Sequence, residues 1–243
     1  MISEGAPRLS IVLPCYNEAD SLPDLLASYR EVWEDLPAEL VLVDNGSTDE
    51  TATVLERELS RPEYSFARVV RVKRNRGYGH GIAAGLSAAR GEYLSWSHAD
   101  MQCSPADPFR AYHESMRAPD PDRIVVKGLR TNPRGIAAKL ITVGMSVIAS
   151  TVLAASLSDI NAQPKVFKRD LLTFLSDPPD GFQFDLYVLY IARRQGYGIR
   201  TIPVHFGERI HGESRWAATF RSRFRTIMAT IRYIFRLRFS SRA

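Results

Sequence analysis

Tyr93-Leu-Ser-Trp-Ser-His-Ala-Asp-Met-Gln102 is an apolar run that ends in a cluster of polar side chains, and the rest of the chain is organised around it. On an extended backbone, alternation would point the side chains of His98, Asp100 and Gln102 to one face. Oxygen and imidazole groups of this kind bind divalent cations such as Mg²⁺ or Mn²⁺. The stretch therefore predicts a buried strand that ends in a metal site. The competing interpretation is a strand followed by an ordinary polar turn.

The chain before this stretch alternates strands and helices three times. Apolar runs rich in β-branched residues predict strands at about 9–14, 39–44 and 66–73. Helical patterns follow each of them, at about 22–35, 50–59 and 82–89. Repetition of this unit predicts a doubly wound α/β fold, with a mostly parallel sheet and helices on both faces. Parallel strands would bring Glu18, Asp44 and Asp100 to one edge of the sheet, where such folds bind ligands.

A glycine-rich loop between the third strand and its helix suggests a competing function. Gly77, Gly79, Gly81 and Gly85 stand where a dinucleotide-binding loop would lie. Their spacing is G-x-G-x-G-x-x-x-G rather than G-x-G-x-x-G, and they follow the third strand rather than the first. Both departures argue against a dehydrogenase.

The second half of the chain is less regular. We expect a helix at about 107–117 and strands at about 123–128, 166–170 and 196–205. Residues 140–157 carry no charge and reach only the lower limit of length for a membrane-spanning helix. Their small and hydroxylated side chains favour a helix buried in the domain or lying at a membrane interface. Another helix, starting near Gly181, would hold Asp185 in its first turn, where the helix dipole alone favours a carboxylate.

Composition sets the general class of the protein. The 243 residues are 45% hydrophobic and 24% charged, which is typical of globular proteins. Cys15 and Cys103 are the only cysteines, which excludes a disulfide framework and fits a reducing compartment. The first residues lack the basic-then-apolar pattern of a signal peptide, so we expect a cytoplasmic protein.

The positive charge is concentrated in the tail. Residues 215–243 contain eight arginines and no acidic residue, whereas residues 1–214 carry a net charge of −3. Apolar side chains share the tail at helical spacing, so residues 217–243 predict a basic amphipathic helix. Such a helix fits an anionic membrane surface better than nucleic acid, and we expect no nucleic-acid partner. The alternative is that it packs on the domain or on a second copy in a homo-oligomer.

Several motifs in order resemble the family 2 glycosyltransferases, in the branch of the dolichol-phosphate mannose and glucose synthases. They are Leu13-Pro-Cys-Tyr-Asn-Glu18, Val43-Asp-Asn-Gly-Ser-Thr-Asp49, Asn75-x-Gly-x-Gly79, Gly91-Glu92, His98-Ala-Asp-Met-Gln102, Asn161-Ala-Gln-Pro-Lys165, Phe184-Asp185 and Arg209-Ile-His-Gly-Glu-Ser-Arg215. The resemblance covers roughly residues 9–216. It implies a GT-A fold, Rossmann-like, over residues 1–216, with a nucleotide-binding half at about 9–103 and an acceptor half at about 104–216.

The resemblance also implies an activity and a set of roles. The activity would be inverting transfer of a hexose from a nucleotide-diphosphate sugar, of the GDP-mannose or UDP-glucose type, to a polyprenyl or dolichyl phosphate. The implied donor-site residues are Pro14, Tyr16, Glu18, Asp44, Asn75, Gly79 and Asp100, with Asp100 and Gln102 as metal ligands. The implied acceptor-side residues are Asp185 and Arg209, the catalytic pair, and Ser214 and Arg215, which with Arg209 would face phosphate.

One departure from the family concerns the metal. The family's motif usually reads Asp-x-Asp, and here His98 replaces the first aspartate. Imidazole binds Mn²⁺ but is a poor ligand for Mg²⁺, so His98 predicts a preference for manganese. The alternative is that His98 stands behind the ligands without touching the metal.

With a lipid phosphate as acceptor, the tail would hold the enzyme on the cytoplasmic face of the membrane. Alternatively, the acceptor could be a soluble molecule, or a saccharide hydroxyl for which Asp185 would be the general base. A different alternative follows from His98 in the metal motif: the chain could be a catalytically weakened homologue that binds nucleotide sugars.

Overall fold

Seven strands form one sheet in this computed structural model, which describes residues 6–132, 135–207 and 220–240. The strands are β1 Leu9–Cys15, β2 Ala38–Asp44, β3 Ala67–Arg71, β4 Tyr93–Trp96, β5 Ile124–Arg130, β6 Lys165–Lys168 and β7 Gly198–Val204. Their order is β3-β2-β1-β4-β6-β5-β7. The four strands on the β3 side are mutually parallel, and β5 and β7 are parallel to each other. Only β6 runs antiparallel to its neighbours β4 and β5 among these strands.

Helices connect the strands. They are α1 Leu22–Val32, α2 Thr51–Leu59, α3 Tyr78–Ala88, α4 Asp107–Met116, α5 Gly135–Leu153, α6 Phe184–Arg194 and α7 Phe220–Ser240. Three short 3₁₀ helices lie at Pro62–Tyr64, Pro121–Arg123 and Arg169–Phe174. The predicted α/β fold with a mostly parallel sheet is confirmed. The predicted domain boundary at residue 216 falls among residues 208–219, outside the described ones, and stays a prediction.

The sheet is buried on both faces. Along β1, Ile11 and Leu13 belong to one apolar cluster, whereas Val12 between them belongs to the other. Because strand side chains alternate, a strand covered on both faces is apolar at most positions. This explains the apolar run 11–13 in β1, whereas the buried Ser10 donates its hydroxyl to Glu39 Oε1 at 2.7 Å.

Helix α3 starts earlier than the sequence predicts, at Tyr78 rather than near residue 82. Its glycines let it lie close to neighbouring chain segments. A Cβ at Gly85 would lie 2.7 Å from the side chain of Val43, and one at Gly81 would lie 2.8 Å from Asn45. These glycines therefore serve close packing, which propensity alone would not predict because glycine disfavours helices.

Helices α5 and α7 pack against each other and leave apolar side chains exposed. Ala149 and Leu153 of α5 and Ile234 of α7 are buried. The exposed set comprises Leu140, Ile141, Val143, Val147, Phe224, Phe235 and Phe239. Within the described ranges, neither these helices nor any other is long and apolar enough to cross a membrane. The interpretation of residues 140–157 as a helix is confirmed, except that it runs from Gly135 to Leu153.

Candidate functional site

The polar cluster after β4 lies in a turn rather than on the strand. The parallel pairing of β4 with β1 ends at Trp96 and Val12. Beyond it, Met101 has a positive φ of 60°, a conformation that reverses the chain. The expected alternation on an extended backbone is therefore wrong. The turn nevertheless brings His98, Asp100 and Gln102 to the wall of one cavity.

This cavity has a volume of about 570 Å³ and lies beyond the carboxyl ends of β1 and β4. Seven residues predicted for the site line it, namely Pro14, Tyr16, Glu18, His98, Asp100, Gln102 and Asp185. The opposite wall comes from the two packed helices, with Ile141, Thr142, Met145 and Ser146 of α5 and Thr226, Ile227 and Thr230 of α7. The cavity thus joins a wall that carries charged and aromatic side chains to a helical wall of aliphatic and hydroxyl-bearing side chains.

Glu18 is held at the cavity by the loop that follows β1. Its backbone N–H donates to Thr51 Oγ1 at 2.9 Å, and its carboxylate Oε2 accepts from Ser21 Oγ at 3.0 Å. The preceding Asn17 has a φ of 56° and is bound to Thr48, whose backbone N–H donates to Asn17 Oδ1 at 2.9 Å. The loops after β1 and β2 are therefore fixed to each other.

Three residues predicted for the nucleotide site do not line this cavity. Asp44 is buried at the end of β2, and its Oδ1 accepts a 3.0 Å bond from the backbone N–H of Ser47. Asn75 Oδ1 accepts from the backbone N–H of Gly77 at 2.8 Å. Gly79 is buried beneath the loop before α6, where an added Cβ would lie 2.7 Å from the carbonyl oxygen of Gly181. Contact of these residues with a nucleotide stays a prediction.

The residues predicted to face the acceptor phosphate lie outside the described part of the chain. They are Arg209, Ser214 and Arg215. Their roles stay predictions.

The side chains after β4 that could bind a metal suit a cation that also contacts a bound molecule. The ring of His98 lies between Tyr78, at 5.7 Å between ring centroids, and Phe206, at 5.8 Å. Burial lowers the pKa of His98 despite the nearby carboxylates Asp100 and Asp185, which favours the neutral imidazole that binds metals. Gln102 is anchored by its Nε2, which donates to the carbonyl oxygen of Gly207 at 3.1 Å.

No group of three or more His, Cys, Asp and Glu side chains that could hold a metal ion occurs in the described ranges. With Asp100 as the one carboxylate in the cluster after β4, the described side chains do not enclose a cation by themselves. Mg²⁺ and Mn²⁺ sites of one or two protein ligands are completed by phosphate oxygens. The donor set therefore fits a divalent cation bound together with a diphosphate.

Asp185 lies in the first turn of α6, as predicted, but is bound to partners that were not predicted. Lys165 Nζ donates to Asp185 Oδ1 and forms an ion pair with it, and both side chains are buried. Gln163 Nε2 donates to the same Oδ1 at 2.9 Å and also to the hydroxyl of Tyr78 at 2.9 Å. Gln163 and Lys165 belong to the motif at residues 161–165, but the motif does not show which side chains they would contact.

Further charges lie on β5 behind the cavity. Arg130 lines the cavity and binds Asp159, with Nε 2.9 Å from Oδ1. Burial acts to raise the pKa of Asp159, but hydrogen bonds from Arg130 outweigh it and lower that pKa. Burial and the nearby charge of Lys165 lower the pKa of Lys127 to about 7. The cavity is thus bordered by basic side chains of β5 that were not predicted as site residues.

Residues 10–133 match the family described as Glycosyl transferase family 2. The chain belongs to this family. Among curated relatives, an undecaprenyl-phosphate 4-deoxy-4-formamido-L-arabinose transferase of Pseudomonas fluorescens (strain Pf0-1) is 31% identical over 218 residues, which cover 86% of this chain and 60% of the relative. A dolichyl-phosphate beta-glucosyltransferase of Dictyostelium discoideum is 24% identical over 217 residues, which cover 82% of this chain and 66% of that protein. The chain therefore spans less than two thirds of the length of these relatives.

A solved structure supports the fold assignment. Glucosyl-3-phosphoglycerate synthase from Mycobacterium tuberculosis, in complex with Mn²⁺, uridine-diphosphate and glucosyl-3-phosphoglycerate, superposes with a TM-score of 0.68. The match covers 96% of this chain and 84% of that one at 20% sequence identity. At this identity the likeness establishes the fold of this glycosyltransferase family member and nothing finer.

Proposed function

We propose that this protein transfers a sugar from a nucleotide-diphosphate sugar to a polyprenyl or dolichyl phosphate at a membrane surface. The observation that carries the proposal is the cavity, which joins the polar ends of β1 and β4 to helical walls of α5 and α7 that contribute Ile141, Met145 and Ile227 beside hydroxyl side chains. A donor with a charged diphosphate suits the first wall. An acceptor with a phosphate head and a hydrocarbon chain suits both walls together.

On the donor side, Tyr16, Glu18 and Asp100 would contact the nucleotide sugar, and Asp44 would hold its base or ribose. A divalent cation held by Asp100, with Gln102 or His98, would neutralise charge on the departing diphosphate. An oxygen of the acceptor phosphate forms a bond to the anomeric carbon as the bond from that carbon to the diphosphate oxygen breaks. The nucleoside diphosphate leaves with the electron pair, and the anomeric configuration inverts.

On the acceptor side, the phosphate oxygen is already anionic and needs little help from a base. Arg209, Ser214 and Arg215 are proposed to contact this phosphate. Ile141, Met145 and Ile227 line the wall where the hydrocarbon chain would lie. These assignments fit relatives whose names specify undecaprenyl-phosphate and dolichyl-phosphate.

The membrane setting is proposed from α7. Arg225, Arg232 and Arg236 are exposed on this helix beside the exposed rings of Phe224 and Phe235. Each basic residue near an anionic leaflet contributes about 1 kcal/mol, so a few of them support reversible docking. We propose that the enzyme acts on the cytoplasmic leaflet, where anionic lipids would meet this helix.

A soluble phosphorylated acceptor is the second candidate, because the glucosyl-3-phosphoglycerate synthase shares the fold. The experiment is a screen of UDP- and GDP-sugars with Mn²⁺ or Mg²⁺, each offered undecaprenyl phosphate in detergent or 3-phosphoglycerate in solution. We expect a lipid-linked sugar with one donor and no product from 3-phosphoglycerate. Product from the soluble acceptor alone would replace the proposal by the second candidate.

A further inference from the structure

Among the described residues, two hydrogen-bond donors reach Asp185, and both use the same oxygen. Lys165 Nζ and Gln163 Nε2 donate to Oδ1, and no bond between described residues reaches Oδ2. Asp185 is only 2% exposed, yet it lines the cavity. The described contacts therefore fix the carboxylate through Oδ1, on a side chain that lines the cavity.

The two donors are themselves fixed. Lys165 Nζ also donates to the carbonyl oxygen of Ala162 at 3.2 Å and lies 5.3 Å from the ring centroid of Trp96. The amide of Gln163 is shared between Asp185 and the hydroxyl of Tyr78, another cavity residue. The network thus connects β6, α3 and α6, and leaves Asp185 little freedom to rotate.

The net charge of the Lys165–Asp185 pair affects the binding of phosphate groups in the cavity. A buried carboxylate without a cation would be protonated or would repel an incoming diphosphate or acceptor phosphate. Lys165 and Asp185 form a buried ion pair, and because their charges are opposite, the pair carries no net charge. A carboxylate bound to a cation is also a weaker proton acceptor, which suits hydrogen bonding better than general base catalysis.

We propose that Lys165, with Gln163, is a positioning residue that holds Asp185 ionised, so that Asp185 Oδ2 accepts a hydrogen bond from a hydroxyl group of the bound sugar. This inference rests on the proposed function, because it needs a sugar in the cavity. It assigns Asp185 to recognition of the transferred sugar and removes it from the role of base.

The test compares Lys165→Met, Asp185→Asn and the double variant, which removes both charges. Calorimetry measures binding of UDP-glucose against UDP, and of GDP-mannose against GDP, to each protein with Mn²⁺. We expect Lys165→Met and Asp185→Asn each to weaken binding of the sugar nucleotide about 10-fold and to leave the bare nucleoside diphosphate unchanged. In the double variant the loss should equal that of Asp185→Asn alone, since Lys165 acts through Asp185. Additive losses, or equal losses for both ligands, would overturn the proposal.

A pH profile separates positioning from simple structural support. The titratable and charged groups that face Asp185 are Lys165 of β6, Tyr78 of α3, Lys127 of β5 and His98 of the turn after β4. Burial without a cation disfavours the charged form of a carboxylate, so sugar-nucleotide binding by Lys165→Met should recover as pH rises, relative to wild type. A constant ratio between the two proteins would contradict the inference.

Thermal unfolding keeps this inference apart from the proposed function. Lys165→Met should lower Tm more than the double variant does, because only the single variant leaves a buried charge unpaired. A double variant no more stable than Lys165→Met would overturn the coupling. If wild type bound sugar nucleotides as expected but transferred nothing to any acceptor, the proposed function would fail while these measurements still decided the inference.

Discussion

At the scale of single residues, His98 distinguishes this site from the usual family motif. The imidazole replaces a carboxylate two residues before Asp100 and is packed between Tyr78 and Phe206. Packing of this kind fixes the ring, and burial keeps it neutral by lowering its pKa. A neutral, oriented imidazole next to one carboxylate favours Mn²⁺ over Mg²⁺.

The variant His98→Asp should restore a preference for magnesium. We expect the ratio of transfer rates with Mg²⁺ and Mn²⁺ to rise by about 10-fold or more, because a second carboxylate suits the harder cation. Initial rates with each metal at matched concentrations measure this ratio. His205→Asp is the control, because His205 directly follows β7 and does not line the cavity. An unchanged ratio in His98→Asp would mean that the side chain does not ligate the metal.

At the scale of elements, continuous apolar runs made the parallel half of the sheet predictable. Strands β1 and β2 lie within one residue of their predicted bounds, since each run is bounded by turn residues, whereas β4 starts at Tyr93 and ends at Trp96, before the polar cluster that was expected to be extended. The antiparallel placement of β6 was not predictable, because four residues carry no signal of direction. Likewise, nothing in the local sequence shows that Lys165 of β6 would meet Asp185 of α6.

The positions of some site residues could be predicted from the strand pattern, and those of others could not. Residues directly after a strand, such as Glu18 and Asp100, reach the cavity because parallel strands bring their ends together. Asp44 also follows a strand, but its carboxylate turns to the backbone of Ser47 instead. The direction of a loop depends on tertiary contacts, which a strand pattern does not contain.

The glycines of α3 provide a prediction at this scale. Gly79→Ala would put a Cβ 2.7 Å from the carbonyl oxygen of Gly181, in the loop that leads to Asp185. We expect a loss of about 1–3 kcal/mol in the free energy of unfolding from this overpacking. The matched control is Gly144→Ala in α5, where nothing lies within 4 Å of the added Cβ.

Urea unfolding of both variants checks this prediction. The control should gain about 0.5–1 kcal/mol, since alanine is the better helix former. Equal stability of Gly79→Ala and wild type would show that the loop before α6 moves away freely, and the proposed coupling of α3 to the site would be wrong.

At the scale of the whole molecule, positive charge and exposed apolar side chains coincide on α7, next to the exposed apolar side chains of α5. Residues 1–214 have a net charge of −3, whereas residues 215–243 carry eight arginines. The exposed rings of Phe235 and Phe239 lie on the same helix as these cations. Because α7 also lines the cavity, a membrane bound there would meet the opening where the acceptor is proposed to enter.

Neutralising three exposed arginines of α7 tests this arrangement. We expect the triple variant Arg225→Gln, Arg232→Gln and Arg236→Gln to bind anionic liposomes roughly 100-fold more weakly, at about 1 kcal/mol for each residue. Its matched control changes Arg30, Arg90 and Arg117, which are exposed on other parts of the domain. Sedimentation with vesicles of phosphatidylglycerol and phosphatidylcholine measures both. Equal binding by the two triple variants would mean that α7 does not dock on the membrane.

The most direct measurement is sugar transfer to undecaprenyl phosphate in anionic liposomes, followed for wild type and Asp100→Asn with the donor found in the screen. Wild type should form a lipid-linked sugar and release a nucleoside diphosphate in equal amounts, and the inverted anomer should be the product. Asp100→Asn should be at least about 100-fold slower, because charge on the leaving diphosphate is no longer neutralised. Asp120→Asn, an exposed change outside the cavity, should match wild type. Absence of lipid-linked product from wild type with every donor, or full activity of Asp100→Asn, would contradict the proposed function.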